Sequence, residues 1–387
     1  MWRSLLASLA SLVFIAGLQA QSVYPKGTTV WQQGSTYDGY TIFTTMEIPS
    51  RVVMIDMEGT EVHSWESPVA GFSLHTVDPL ESGSILAYTG TGPGIYYFAR
   101  TIGELDFDGN VLWTWSLPPE VPQTTVLHHD SERLTNGNTM LMGSQEIVVP
   151  SISSKTIIDD FLIEVAPNGS VVWVWEAWRH FDELGLSQAQ KDIIARDAGD
   201  WAHINSVDEI PSNDHTHTAF AEGNLIVGFR NLNTILVLDR SSGTILWRLG
   251  ADESHLTHGQ HWPHMIEPGF PGAGNILVFD NGAGFGYAHQ HQSPNHSRVI
   301  EIDPSTGNIV WSYQEDHRFW SSYMGGAQRL PNGNTLICSA VKGRLFEVDP
   351  AGNVVWEYMS PYNVPVGLGF DHRVYRAYRV PYSWKPR

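Results

Sequence analysis

The sequence predicts an all-β fold, a six-bladed β-propeller with loop insertions. The prediction rests on two sequence patterns that alternate along the chain and on the six copies of the first pattern. The first pattern is an apolar strand, a tight turn and a second strand that ends in tryptophan. Alternating apolar and polar residues across an Asp, Pro, Asn or Gly turn are typical of a β-hairpin. Six copies are present, at residues 52–65, 104–115, 162–175, 235–247, 299–311 and 345–356.

The second pattern precedes most of these hairpins and consists of an entry segment, a glycine-containing turn and an apolar strand. Residues 128–142 (HHDSERLTNGNTMLM) and 328–337 (QRLPNGNTLI) are clear examples. Four short strands per unit, repeated six times, favour a propeller over a pair of β-sandwiches. We expect residues 22–50 to share a blade with residues 374–380 and close the ring, and each repeated tryptophan to pack between neighbouring sheets.

One short helical insertion interrupts the strands, near residues 187–196. Ser187 and Gln190 are spaced as a capping box, and Gly199 provides a stop signal. The predicted helix lies directly before residues 200–203 (DWAH). It is either a wall of a site or decoration on a loop.

Charge and cysteine content exclude several classes of protein. The 387 residues carry a formal net charge of -19, with a pI near 5.2, which argues against nucleic acid and anionic membranes as partners. An anionic substrate would therefore need a local cationic site. Cys338 is the single cysteine, so an intramolecular disulfide framework is excluded.

Residues 1–20 have the features of a signal peptide, and residues 21–387 are predicted to form one propeller domain. Arg3 precedes an apolar run over residues 5–18, and Leu18-Gln19-Ala20 is typical of a cleavage site. We therefore expect a secreted or periplasmic protein that has no membrane association after cleavage.

Histidines recur in register with the second pattern. His75 and His129 each lie eight residues before a turn glycine, Gly83 or Gly137. His203 and His261 occupy the same place once longer turns are allowed for, and Gly325 takes it in the last unit. Because the innermost strands of a propeller line its central channel, we expect these imidazoles to converge.

Three interpretations of the histidines compete. A metal site would draw on pairs such as His258 and His261, His215 and His217, or His289 and His291, but no acidic cluster accompanies them in the sequence, and we predict no metal and no cofactor. Alternatively, most of the histidines are structural. The third interpretation is a histidine nucleophile assisted by other histidines and by Arg230, whose guanidinium suits a bound oxyanion; the structural alternative for Arg230 is a salt bridge at a blade edge.

Several motifs, in order, resemble the arylsulfate sulfotransferase (arylsulfotransferase) family. They are residues 200–205 (DWAHIN), 228–231 (GFRN), 259–261 (GQH), 274–282 (GNILVFDNG) and 374–379 (VYRAYR). The resemblance implies a six-bladed propeller that moves a sulfuryl group from an aryl sulfate to a phenol through a sulfated histidine, without a nucleotide donor. Its partners would be small-molecule aryl sulfates and phenols.

The resemblance also implies roles for particular residues. The family nucleophile, in a Gln-His-Asp motif, maps onto His261. The remaining catalytic positions map onto His203, Asn205, Arg230 and a histidine of the pair His128 and His129.

The substrate-binding candidates are Trp262, Trp201 and His264, with Tyr96 and Tyr97 as further aromatic rings for stacking. Wall packing is the alternative for each aromatic residue. His264 is also a rival nucleophile. The mechanism requires the rings of His203 and His261 to lie close together and His261 to be reachable.

One departure from the family pattern raises an alternative function. Trp262 stands where the family has an aspartate after the nucleophile, so another acceptor must orient the imidazole if that is the aspartate's role. A non-catalytic binding propeller is the alternative consistent with this change. A quinone-dependent dehydrogenase is disfavoured, because the sequence has six repeats rather than eight.

Overall fold

The protein is a six-bladed β-propeller, as the sequence predicts. The computed structural model describes residues 25–70, 72–90, 99–250, 256–284, 294–315, 318–367 and 369–384. Six antiparallel sheets of four or five strands surround a common axis. The proposed signal peptide and residues Tyr96, Tyr97, His289 and His291 lie outside the described residues.

The strands of the first three hairpin repeats run from β1 to β12. They are β1 (Gly27–Trp31), β2 (Tyr40–Thr44), β3 (Val52–Ile55), β4 (Glu61–Trp65), β5 (Ser73–Pro79), β6 (Ile85–Gly90), β7 (Thr101–Leu105), β8 (Val111–Ser116), β9 (Val126–Arg133), β10 (Thr139–Ile147), β11 (Ile157–Val165) and β12 (Val171–Glu176).

The remaining strands run from β13 to β28. They are β13 (Gly199–Asp200), β14 (Ile204–Glu209), β15 (Leu225–Phe229), β16 (Thr234–Leu238), β17 (Ile245–Gly250), β18 (His261–Met265), β19 (Ile276–Asp280), β20 (Arg298–Asp303), β21 (Asn308–Gln314), β22 (Gly326–Arg329), β23 (Thr335–Ser339), β24 (Arg344–Val348), β25 (Val354–Met359), β26 (Val364–Val366), β27 (Gly369–Asp371) and β28 (Ala377–Val380).

The two ends of the chain close the ring at two places, in blade 1 and in blade 6. In blade 1 the innermost strand is β28, which pairs with β2 and is followed outward by β3 and β4. Blades 2 to 5 are formed by β5–β8, β9–β12, β14–β17 and β18–β21, and β13 adds to blade 3. Blade 6, β22–β25, receives β1 as a fifth strand. The predicted sharing of a blade between the two ends of the propeller is therefore confirmed.

The repeated tryptophans of blades 1, 2, 3, 5 and 6 each donate a hydrogen bond to the next blade. Trp65 donates its indole N–H to the carbonyl of Asp106 over 2.9 Å, in the hairpin turn of the following blade. Trp115 and Trp175 do the same to Gly169 and Gly243. Trp356 donates to Met57 over 2.9 Å and so connects blade 6 to blade 1. The recurrence of tryptophan at the hairpin end follows from this role, because indole combines a large apolar face with one donor.

The helical insertion is α1 (Gln188–Asp197), within two residues of its predicted bounds. Its capping box is formed: the Ser187 hydroxyl accepts from the N–H of Gln190, and the Gln190 side chain accepts from the N–H of Ser187. Ile194 is the residue through which α1 packs into the core beside blade 3. Among the described residues, no helix is long and apolar enough to cross a membrane.

Candidate active site

The site lies where the chain enters the innermost strands, and the backbone there is kinked in five of the six blades. The positive φ angles of non-glycine residues at these entries run from 36° to 62°; the residues are Thr76, His129, His203, Trp262 and Met324. A non-glycine residue in this region costs about 1–3 kcal/mol, and such residues cluster at functional sites. In blades 2 to 5 a register shift interrupts the pairing of the same strand, which re-aims the side chains towards the axis.

Four of the predicted residues meet at this entry. The rings of His129 and His203 pack edge to face with their centroids 4.8 Å apart. The positive charge of Arg230 and the neighbouring His203 both act on His261 and on His129. Blades 3, 4 and 5 thus each contribute an imidazole to one cluster, with a guanidinium beside it. The predicted register is offset by one residue in two blades, because Thr76 and Trp262, rather than His75 and His261, hold the positive-φ position of His129 and His203.

His261 is held on both ring nitrogens. Its Nδ1 lies 2.7 Å from Oδ1 of Asn281 and 3.1 Å from the carbonyl of Gly259. Its Nε2 accepts the backbone N–H of Met324 over 3.2 Å. Burial, followed by the charge of Arg230, lowers the pKa of His261 to about 3, so the ring is neutral at physiological pH.

The ring of His261 is closed off from solvent, against the expectation that it is reachable. Only 1% of the residue is exposed, and the segment that contains Met324 places its backbone amide on Nε2. Attack by Nε2 on any substrate therefore requires this segment to move.

His203 has one nitrogen engaged and one without a partner. Its Nδ1 lies 2.5 Å from Oδ2 of Asp200, whereas its buried Nε2 has no hydrogen-bond partner among the described residues. Because a carboxylate only accepts, Nδ1 of His203 carries a proton. The sequence places Asp200 three residues before His203, and this spacing was the available signal for the pair.

A carboxylate, Asp160, also lies beside the pair His128 and His129. Oδ1 of Asp160 is 3.2 Å from Nε2 of His128, and the Nδ1 atoms of the two histidines are 2.8 Å apart. Burial and the charges of its neighbours, His128 first, hold the pKa of His129 well below its usual value. His129 is therefore neutral. Asp160 adjoins Asp159 in β11, and this pair of carboxyl residues within a largely apolar strand was the sequence signal.

Arg230 begins a short 3-10 turn (Arg230–Leu232) directly after β15. Its N–H donates to the carbonyl of His203 over 3.0 Å, so the two residues are tied through the backbone. Its Nε donates to Oδ1 of Asn231. Burial lowers the pKa of Arg230, and the charges of Asp200 and Asp160 oppose that shift. These contacts hold the guanidinium at the imidazole cluster.

Two of the predicted site residues, Asn205 and Trp201, are buried in contacts that support the fold. Asn205 is fully buried, and its amide donates to the carbonyl of Gln260 over 2.8 Å, so it fixes the residue before His261. Trp201 is fully buried in the hydrophobic core, edge to face with Phe181 at 5.4 Å. The structure does not bring the Trp201 ring to the imidazole cluster.

Trp262 and His264 line a separate axial cavity of about 210 Å³. Their rings stack with centroids 4.5 Å apart, and the guanidinium of Arg376 lies 4.5 Å from the Trp262 ring. Burial lowers the pKa of His264 to about 4, and the charges acting on it are those of Arg376 and Arg329 rather than Arg230. His264 therefore belongs to this cavity rather than to the cluster around His261.

The axial cavity is rich in carboxyl groups, which the sequence did not show. The carboxyl residues that line it are Asp78, Asp130, Glu132, Asp208 and Glu267. Burial raises the pKa of all five, to about 7 for Asp78, and repulsion by neighbouring carboxylates adds to the shift at Asp78, Glu132 and Asp208. In the described part of the chain, no group of three or more His, Cys, Asp or Glu side chains is arranged to hold a metal ion.

His75 and Tyr375 lie near the entries of the innermost strands in blades 2 and 1. His75 is buried in β5, and burial alone lowers its pKa to about 4. Tyr375 precedes β28, with its ring centroid 6.1 Å from that of His129 and its hydroxyl 3.4 Å from the carbonyl of Asn205. Tyr375 lies within the VYRAYR motif but had no assigned role in the sequence analysis.

Comparisons with known proteins agree with the fold and supply the family. No curated protein matches this chain. A protein of unknown function from Bacteroides caccae aligns with a TM-score of 0.50 at 15% identity, over 88% of this chain and 98% of that one. A catalytically inactive virginiamycin B lyase from Staphylococcus aureus, with quinupristin, aligns with a TM-score of 0.46 at 10% identity, over 88% and 94%. At these identities the likeness concerns the fold alone.

The family model described as arylsulfotransferase (ASST) matches residues 29–360. This match covers most of the chain, including the entry segments that carry His129, His203, Arg230 and His261. The chain therefore belongs to the arylsulfotransferase family.

Proposed function

We propose that this protein transfers a sulfuryl group from a phenolic sulfate ester to a phenol through a sulfohistidine intermediate, without a nucleotide donor or cofactor. The observation that carries the proposal is the neutral imidazole of His261 beside the cationic Arg230. Burial and that charge lower the pKa of His261 to about 3. A neutral imidazole nitrogen is a nucleophile, and a guanidinium stabilises the oxygens of a sulfuryl group during transfer.

In the first half of the proposed reaction, Nε2 of His261 attacks sulfur. The N–S bond forms while the bond between sulfur and the aryl oxygen breaks, and the electron pair leaves with the phenolate. Arg230 binds two sulfuryl oxygens. The Met324 amide must leave Nε2 before this step, since it occupies the lone pair that attacks.

In the second half, the acceptor phenol loses its proton and its oxygen attacks sulfur, so that the N–S bond breaks and the lone pair returns to His261. We assign this proton to His129, because its ring is neutral and therefore has a lone pair that can accept it. A neutral His129 has no proton to spare for the departing donor. We therefore expect donors whose phenols are acidic, such as nitrophenyl sulfates.

The experiment follows phenol release from 4-nitrophenyl sulfate in the presence and absence of phenol as acceptor. His261→Asn should abolish release, whereas His264→Asn, which alters the axial cavity, should leave it within a few-fold of wild type. Mass spectrometry of donor-treated protein should place one added sulfuryl group on the peptide that contains His261. A sulfated peptide containing His203 instead would reassign the nucleophile, and neither release nor mass gain with several donors would reject the transferase.

The Met324 amide occupies Nε2 of His261 in the resting protein. This observation favours a second candidate, a non-catalytic binding propeller of the same family. This candidate predicts that aryl sulfates bind without phenol release and without any mass gain. Export remains part of the proposal, with residues 1–20 as the cleaved signal; N-terminal sequencing of the protein recovered outside the cytoplasm would test it.

A further inference from the structure

Asn281 follows β19 and touches the proposed nucleophile from a blade position that no motif of the family resemblance assigns to catalysis. The residue is fully buried. Its amide nitrogen donates to the carbonyls of Ser321 and Met324, each over 2.7 Å. Its Oδ1 lies 2.7 Å from Nδ1 of His261. All polar atoms of the side chain are thus engaged.

These contacts fix which way the amide faces. The two carbonyl oxygens can only accept, so the NH₂ group must point to Ser321 and Met324 and Oδ1 must point to His261. An oxygen facing Nδ1 requires a proton there, and the same proton is shared with the carbonyl of Gly259. The Met324 N–H, which can only donate, requires a lone pair on Nε2. The contacts of both ring nitrogens therefore require the same tautomer, with Nδ1 protonated and Nε2 unprotonated.

The backbone of Asn281 is fixed as well. Its carbonyl accepts from the hydroxyl of Ser297 over 3.0 Å, and the preceding residue, Asp280, is fully buried and paired with Arg298. The amide therefore has a rigid support, which a positioning group needs in order to hold a ring within a fraction of an ångström.

We infer that Asn281 is the positioning residue of the sulfuryl-transfer site: it holds His261 with Nδ1 protonated and Nε2 as the nucleophilic nitrogen. It is thereby the side-chain acceptor that orients the imidazole in a chain in which Trp262 follows His261. This inference rests on the proposed function for its kinetic part, while its structural part, the tautomer, is independent of activity.

An aspartate could not replace Asn281 at this position. One carboxylate oxygen would face the carbonyls of Ser321 and Met324 at the distance of the present hydrogen bonds, where two acceptors repel. The orienting group must both accept from the imidazole and donate to two carbonyls, and asparagine alone among side chains of this size does so.

The first measurement uses the wild-type protein with ¹⁵N-labelled histidine. The ring nitrogens of His261 should show a protonated Nδ1 and an unprotonated Nε2 across pH 5 to 8. A protonated Nε2 would overturn the inference, whether or not the protein transfers sulfuryl groups. If His261 has the expected tautomer but no aryl sulfate donor releases phenol, only the proposed function is rejected.

The second measurement compares Asn281→Asp with Asn213→Asp. Asn213 is a matched control, because its amide also donates to two backbone carbonyls, those of Pro211 and Phe220, each over 2.8 Å. It accepts a backbone N–H rather than an imidazole. Both substitutions should lower Tm, Asn281→Asp by more, because Asn281 is fully buried whereas Asn213 is only partly buried.

Only Asn281→Asp should lower kcat for phenol release, by about 10- to 100-fold with KM little changed, as expected when the support of a reacting group is lost. Equal kcat values in the two variants, or a loss confined to KM, would overturn the inference. If Asn281→Asp does not fold, the tautomer measurement on the wild type still decides it.

Discussion

The backbone N–H of Met324 donates to Nε2 of His261, the nitrogen that we propose as nucleophile, over 3.2 Å. A bond from sulfur to that nitrogen removes its lone pair, so the Met324 amide loses its acceptor. The resting protein and the sulfohistidine intermediate must therefore differ in the segment that covers the ring.

Hydrogen exchange should detect this difference. In protein treated with 4-nitrophenyl sulfate and no acceptor, the amide of Met324 should exchange faster than in the untreated protein. The amide of Gly325, which donates to the carbonyl of Tyr375, serves as an internal reference and should keep its rate. Unchanged exchange at Met324 in protein that carries the sulfuryl group would show that another nitrogen accepts it.

Replacing Arg230 by lysine should separate charge from geometry. Lysine keeps the positive charge but loses the planar pair of donors that binds two oxygens at once. We expect kcat/KM for 4-nitrophenyl sulfate to fall by about 10²-fold or more, the usual effect of removing one donor to a developing charge. Arg230→Gln should be at least as impaired. Full activity in the lysine variant would mean that two-point binding of the sulfuryl oxygens is not required.

Replacing Asp160 by asparagine should invert the tautomers of His128 and His129. Oδ2 of Asp160 accepts the N–H of Ile204 over 3.0 Å, so the oxygen of an asparagine must stay there and its NH₂ group must face His128. His128 would then be protonated on Nδ1, and His129 would be protonated on Nε2 and unable to take a proton there. Transfer to weakly acidic phenols should slow by about 10²-fold or more.

Asp159→Asn is the matched control for that substitution. Asp159 adjoins Asp160 and is fully buried, and burial followed by the charge of Asp160 raises its pKa to about 8. It is therefore largely protonated at neutral pH, so asparagine imitates it closely and transfer should be unaffected. Similar slowing in both variants would indicate a general disturbance of β11.

The raised pKa of Asp159 also predicts a dependence of stability on pH. Its folded-state pKa of about 8 lies above the unfolded value of 3.8, so its favourable contribution is complete below the unfolded value and is lost as pH rises towards 8. Asp159→Asn lacks this loss. Between pH 5 and 7.5 the variant should gain stability relative to wild type, by about 1.4 kcal/mol per pH unit at most. Urea unfolding at both pH values measures it; a constant difference would contradict the shift.

Local patterns were sufficient to predict the architecture. Hairpin turns and alternating residues specify each blade without reference to distant parts of the chain. The position of the helix followed from the capping box at Ser187 and Gln190. The convergence of His129, His203 and His261 was visible for the same reason, because nearby positions in a repeat occupy similar places around the axis; His261 itself lies one residue before the exact equivalent, Trp262.

The groups that act on those histidines could not be predicted in the same way. Asn281 directly follows β19, and Asp160 lies in β11, two strands away from the strand of His128. Both positions resemble ordinary turn and strand residues, and only the folded blade brings them to an imidazole. The covering of His261 by Met324 depends on a loop conformation for which the sequence has no repeat. Trp201 illustrates the converse, since its position in the DWAHIN motif gave no sign that the ring faces the core.

The pairing of β28 with β2 means that blade 1 is completed only by the last strand of the chain. Tyr375 and Arg376, which border the imidazoles and the axial cavity, reach their places only with the final strand of the propeller. A nascent chain that has emerged as far as blade 6 still has an open gap in blade 1. A polypeptide that ends before residue 374 therefore lacks the innermost strand of blade 1 and both of these side chains.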